Sequence, residues 1–260
     1  MLLVADVGNT HTVFGVYDDG RLRQHWRIQT ERGRTADEYG VFLGALLKGA
    51  GNPPLDGLAV SSVVPPITQV IDEWSHTYLH LRPLIVGPGV HTGMPLLYDD
   101  PRQVGTDRVV NAVAAYARTG TATIVVDCGT ATKFEFVSAT GEYCGGAIAP
   151  GLGIAADALF ERAARLYRVE LVRPQQVIGR NTVHAIQSGL VYGYGAMIDG
   201  MVRRIRSETA TQAPALATGG FAPLLVPACE TVESIDEFLT LDGLRLIYER
   251  NSAQSPKSPN

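Results

Sequence analysis

The 260-residue sequence predicts an α/β protein made of two related halves, each a mixed sheet flanked by helices. The first observation behind this is a repeated strand–Asp-x-Gly–strand unit: LLVADVGNTHTVFGVY near the start and TIVVDCGTATKFEFV at 123–137, with Asp6 matching Asp127 and Gly8 matching Gly129. The second is that alternating apolar runs and helical patterns follow each copy, the order expected of α/β units. The third is composition: 45% hydrophobic against 18% charged residues supplies a core and excludes a disordered chain, and the length accommodates two domains.

In each copy, β-rich runs flank a glycine turn, which reads as a β-hairpin whose glycine takes backbone angles closed to other residues. In the first half LRQHWRI, GLAVSSVV and PLIVG read as strands, and ADEYGVFLGALLK and ITQVIDEWSHTYLH as helices. GAGNPPLD and GPGVHTGMPLLYDDPRQ are Gly/Pro-rich connections, the second long enough for a functional loop. The helical VGTDRVVNAVAAYAR leads into the second half. There EYCGGAIAPG follows the hairpin, then helical GIAADALFERAARLYR and the long NTVHAIQSGLVYGYGAMIDGMVRRIR, with Asn181 or Thr182 as its N-cap. Gly189 and Gly193, with Ala196 and Gly200 nearby, lie on one face of that helix; internal packing and a subunit interface explain them equally. The strand PALATGG and the helical ESIDEFLTLDGLRLIYERN close the fold. The expected division is 1–118 and 119–250, with 251–260 a disordered tail.

The net charge of −4, with no Lys/Arg block, gives no footprint for nucleic acid or an anionic membrane. No apolar run approaches the ~18 residues of a spanning helix, and no basic leader precedes Asp6, so a cytoplasmic protein is expected. Three cysteines at no metal-like spacing read as reduced, mostly buried thiols. There is no G-x-x-x-x-G-K-[ST] loop, and APGLGIAADA imitates a dinucleotide turn only until Pro150, where a central strand would end. His76 and His80, beside Glu73, have metal-like spacing but no third ligand in sequence.

One Asp-x-Gly turn is ordinary turn chemistry. Two of them, each opening an α/β half, also suit a polyphosphate, because backbone N–H groups cradle anionic oxygens while each acid holds a cation. Asp6 then recruits Mg²⁺, Gly8 permits close approach, and Asn9, Thr10, Thr12 and Thr130 donate hydrogen bonds. Asp107 opens a helix whose dipole favours a carboxylate there; from spacing alone, it is equally a cap and a proton acceptor. Arg108 offers a fork for a carboxylate or for a surface ion pair, and Tyr98 a face for an aliphatic ligand or for the core.

Taken together, DVGNTHTVFG, SSVVP, YDDPRQVGTDR, DCGTAT, GGAIAPG, GRNTVHAIQSG, ATGG and LTLDGL resemble the type III pantothenate kinases, in the actin-like superfamily of acetate and sugar kinases. The resemblance covers nearly the whole chain, and YxxPxxxGxDR with GTAxT and NTxxAIxSG is its specific part. It implies two ribonuclease H-like (actin-like) domains and ATP-dependent phosphorylation of pantothenate to 4'-phosphopantothenate, the first step of coenzyme A synthesis. By motif, Asp6, Val7, Gly8, Asn9, Thr10, His11, Thr12 and Val13 resemble the first ATP-phosphate loop, and Thr130 a second ATP contact. Asp127 resembles the ligand of a monovalent cation, K⁺ or NH₄⁺. Tyr98, Gly105, Thr106, Asp107 and Arg108, completed by Thr182, resemble the pantothenate site, with Asp107 as proton acceptor. The resemblance also implies a homodimer. The sequence departs from the family after GTAT, where Lys133 and Glu135 replace a small polar residue and an Asp; Lys133 adds charge near phosphate or points to solvent. The rivals are another small-molecule kinase of the superfamily and a non-catalytic ATP-binding regulator.

Overall fold

The computed structural model describes residues 1–163 and 165–253. The chain forms two compact units: Met1–Met94, Asp100–Ala114 and the chain from Thr240 onward make the first, and Pro95–Asp99 with Ala115–Leu239 the second. The expected division at 118/119 differs from these units in three places. The short Pro95–Asp99 segment belongs with the second unit, as do residues 115–118, and the last helix from Thr240 belongs with the first.

In the first unit, β1 (Leu2–Val7), β2 (His11–Asp18) and β3 (Arg21–Gln29) form an antiparallel meander. Helix α1 (Ala36–Gly49) then carries the chain to β4 (Gly57–Ser62), which pairs parallel with β1; α2 (Pro65–Trp74) carries it on to β5 (Leu84–Ile85), parallel to β4. The sheet order is β3-β2-β1-β4-β5. Central β1 is apolar on both faces because it is covered on both, and Leu3, Ala5 and Val7 join Phe14, Tyr39, Leu43, Ile67, Ile71 and Trp74 in the core. Thr35 starts α1 with a capping box: its hydroxyl accepts from the Glu38 N–H at 3.3 Å, and its own N–H reaches Glu38 Oε2 at 2.7 Å. Pro65, at the first position of α2, loses no needed N–H, and a π-helical turn, Ser75–Leu79, extends that helix. Helix α3 (Thr106–Thr119) follows the long loop.

The second unit repeats the plan. Here β6 (Thr123–Cys128), β7 (Ala131–Val137) and β8 (Tyr143–Pro150) form the meander; α4 (Leu152–Arg162) and α5 (Thr182–Glu208) follow, and β9 (Ala215–Thr218) pairs parallel with β6. The order β10-β9-β6-β7-β8 is the first sheet strand for strand, with β10 (Ser234–Ile235) in the place of β5. Both second strands even break register at the matching point, between Val16 and Tyr17 in β2 and between Phe136 and Val137 in β7. The core gathers Ile124, Val126, Phe134, Leu152, Ile186, Leu190, Ile198 and Val202.

Three boundaries differ from the sequence reading. Helix α4 stops at Arg162, and Leu166, Val169 and Leu171 pack non-helically on the core. After the short helix α6 (Ala222–Leu225), the segment read as helical from Glu233 first pairs as β10; α7 (Leu239–Ser252) begins only afterwards. That helix also takes in Asn251 and Ser252, so the expected tail does not begin at 251, and 254–260 lie outside the described residues.

Candidate active site

Both acids occupy the same place in their unit, next to last in the central strand: Asp6 in β1 and Asp127 in β6. The Gly8 N–H bonds the His11 carbonyl at 3.0 Å, and the Gly129 N–H bonds the Ala131 carbonyl at 3.2 Å, which closes each turn. Neither glycine has positive φ, contrary to the sequence expectation. Space is what they supply: a Cβ at Gly8 would lie 3.0 Å from the His11 carbonyl, and one at Gly129 3.2 Å from Asp127 Oδ1. The turns are not identical. Asp6 faces Val13 across its hairpin and Asp127 faces Lys133, so the second turn is one residue shorter.

In the first unit Asn9 and Thr10 are exposed on the turn, Val7 is buried, and Val13 is partly buried. Thr12 is fully buried; its hydroxyl lies 2.8 Å from that of Thr30, which donates to the Gly8 carbonyl at 2.8 Å. Thr12 therefore shapes the turn through Thr30 and does not present a donor on its surface. The sequence reading missed Thr30. It also missed Arg32, whose Nη2 lies 3.4 Å from Asn9 Oδ1 and brings a positive charge to the turn. His11 is exposed, and partial burial, then the Arg27 charge, holds its imidazole below the ordinary 6.5.

Gly105, Thr106, Asp107 and Arg108 fall at the start of α3, in the same unit as Asp6. Thr106 Oγ1 donates to the Ser62 carbonyl at 3.2 Å and lies 3.1 Å from Ser61 Oγ. Ser61 is the β4 partner of Asp6 in the sheet register, so one residue separates the strand bearing Asp6 from the helix bearing Asp107. Asp107 is an acid of the first turn and lies close over Gly105, where a Cβ would approach its Oδ1 to 2.6 Å. The Arg108 side chain is buried, 5% exposed, so it is not a solvated surface arginine.

In the second unit Thr130 is exposed on its turn, and its carbonyl accepts from the Gly151 N–H at 3.1 Å. Lys133 Nζ is 2.7 Å from Asp127 Oδ2. The Glu135 carboxylate is buried and accepts the Tyr143 hydroxyl, so it ties β7 to β8. The half-buried Tyr98 ring packs 6.3 Å from the Tyr143 ring and lies against Gly145. Thr182 is the exposed first residue of α5; Asn181 is the cap, accepting from the His184 N–H at 2.8 Å. Cys128 is no nucleophile, because burial, aided by the Asp127 charge, pushes its thiol up to about 12. Cys144, unlike Cys128, is exposed. Among the described residues no cluster of three or more His, Cys, Asp or Glu side chains could hold a metal, and no helix is long and apolar enough to cross a membrane.

Solved structures share this fold. Component A of (R)-2-hydroxyglutaryl-CoA dehydratase from Acidaminococcus fermentans superposes with a TM-score of 0.59 at 14% identity, covering 97% of this chain and 99% of its own. The polyphosphate/ATP-glucomannokinase of Arthrobacter sp. strain KM gives 0.50 at 14% identity, covering 98% and 99%. The duplicated sheets with an acid-bearing turn on each central strand are those of the actin-like kinase fold. Within it, the family model for type III pantothenate kinase matches residues 2–204. Curated relatives of that description are 51% identical over 253 residues in Geobacter sulfurreducens (96% of this chain, 99% of the relative) and 54% identical over 253 residues in Anaeromyxobacter sp. strain Fw109-5 (96% and 100%). The chain belongs to the type III pantothenate kinase family.

Proposed function

We propose that, in the pantothenate phosphorylation this family performs within coenzyme A biosynthesis, Asp107 is the general base and the Asp6–Val13 turn holds the phosphates of ATP. The observation that carries this reading is the Asp6–Ser61–Thr106 linkage, which ties the acid-bearing strand to the first turn of α3 within one unit. Phosphoryl transfer asks mainly for positioning and charge neutralisation. Turn N–H groups, Asn9 and Thr10 hold phosphate oxygens, Arg32 adds charge, and Thr130 contributes a further ATP contact. Mg²⁺ is held by one or two carboxylates together with substrate phosphates and water, and Asp6, at the end of β1 beside the turn, would supply such a carboxylate; the ion would offset phosphate charge.

Arg108, Tyr98, Gly105, Thr106 and Thr182 bind pantothenate. The buried guanidinium takes the carboxylate in bidentate fashion, and the tyrosine covers the aliphatic body. Asp107 hydrogen-bonds the primary hydroxyl and takes its proton as that oxygen forms a bond to the γ-phosphorus and the bond to ADP breaks. Asp107→Asn should keep the fold and ATP binding yet lower turnover by at least about a hundredfold. Near-normal turnover in a coupled ADP-release assay would remove Asp107 from the chemistry. The same assay with sugars and acetate tests the other kinases of this fold, and ATP binding without transfer would favour the regulator.

The protein is a homodimer through α5. Gly189, Gly193 and Ala196 are exposed, and among the described residues a Cβ at either glycine meets nothing within 4 Å beyond its own turn of helix. Internal packing falls instead to Gly195, where a Cβ would stand 2.5 Å from the Ala228 carbonyl.

A further inference from the structure

Asp127 and Lys133 are register partners across the β6–β7 hairpin, and the 2.7 Å contact between their charges leaves each side chain only 14% exposed. Directly opposed residues of an antiparallel pair project on the same face, so the register itself delivers the ammonium to the carboxylate. The first hairpin has no such device, because the residue opposite Asp6 is Val13. The other carboxylate oxygen, Oδ1, lies close to main chain: a Cβ on Gly219, whose φ is +91°, would stand 2.6 Å from it. A solution cation that binds Asp127 through Oδ2 therefore has to displace a tethered ion of equal charge, whose local concentration is set by a short stem and not by the medium. This donor set does not fit an exchangeable K⁺ or NH₄⁺.

We propose that Lys133 is the built-in monovalent cation of this protein: its ammonium neutralises Asp127 beside the Gly129–Thr130 turn, so phosphoryl transfer needs no added K⁺ or NH₄⁺. The inference rests on the kinase reading above. Lysine suits the part, being a compact point charge with three donors, the side-chain counterpart of an ammonium ion. It acts through Asp127 and is a positioning residue. Removing one partner of a largely buried pair leaves an uncompensated charge, so the carboxylate left by a Lys133 substitution should recruit a cation from solution.

The test is pantothenate phosphorylation by the full chain in choline chloride, KCl and NH₄Cl at matched ionic strength. Wild type should give kcat/KM values within about twofold across the three salts, whereas Lys133→Thr should fall at least about tenfold in choline and recover in KCl or NH₄Cl. Recovery by a small cation is a readout that a merely structural lysine would not produce. Lys133→Met, which keeps the stem packed, serves if the threonine variant does not fold. Melting curves supply a reading independent of turnover: K⁺ should leave the wild-type midpoint where choline leaves it and should raise that of the Lys133 variant. Failure of turnover in every salt would count against the kinase reading, while the melting curves would still decide the cation question. Strong K⁺ activation of wild type, or a Lys133 variant indifferent to K⁺ in both measurements, overturns the proposal.

Discussion

The Thr106 hydroxyl lies 3.1 Å from Ser61 Oγ and donates to the Ser62 carbonyl at 3.2 Å, which fixes the first turn of α3 to the end of β4. Ser61 is fully buried, so its hydroxyl has no water to turn to if Thr106 loses its oxygen. Thr106→Val keeps the shape and removes the acceptor, and a buried donor left unsatisfied costs about 1–3 kcal/mol. Thermal unfolding should show that loss, and turnover should fall with it, because Asp107 follows directly in the same turn. Thr106→Ser should restore both. A valine variant with wild-type kcat would show that this link does not position the base.

The parts of the fold that were legible in the sequence are those set by local pattern. Both hairpins and the strand–helix alternation follow from periodicity and turn residues, and the cap of α5 was narrowed to Asn181 or Thr182, of which Asn181 takes the place. What was not legible depends on tertiary pairing. Ser234 and Ile235 sit in a helix-like run, yet β10 forms because Leu216 and Ala217 of β9 offer them a parallel partner. No proline or glycine interrupts the run from Arg162 to Arg168, and α4 ends where Leu166 and Val169 find the core. The same limit applies at the site. Aligning the two acids puts Thr12 and Lys133 at the same position after each turn, but only the folded chain shows that one hydroxyl is buried against Thr30 and that the other side chain meets Asp127 across the hairpin. T-A-D-E at Thr35–Glu38 was a readable capping box that the sequence reading passed over.

His11 gives a spectroscopic handle on the nucleotide turn. Its pKa lies below 6.5 because burial, then the Arg27 charge, disfavours the imidazolium. The unfolded chain therefore binds more protons near pH 6, so the stability contributed by the neutral ring is present above about 6.5 and is lost as pH falls toward the folded value. If the Asp6–Val13 turn holds ATP phosphates, their negative charge should favour the protonated ring. An NMR titration of the His11 ring should show its midpoint rise on adding MgATP, with proton uptake in calorimetry near that midpoint. An unmoved His11 midpoint at saturating nucleotide would argue that the phosphates bind elsewhere.

The glycine face of α5 separates a solvated helix from a covered one. Each glycine in a helix interior costs roughly 0.5–1 kcal/mol relative to alanine, and among the described residues a Cβ at Gly189 or Gly193 would meet nothing within 4 Å beyond its own turn of helix. If that face is solvated, Gly193→Ala should simply stabilise the protein by about that amount. If a second copy packs closely against it, a bulkier side chain must hold the copies apart. Light scattering should then find wild type as a dimer and Gly193→Leu shifted toward monomer, with a melting transition that becomes less dependent on protein concentration. A monomeric wild type, or a leucine variant as dimeric as wild type at low concentration, would return Gly189 and Gly193 to solvent and move the subunit contact off this helix.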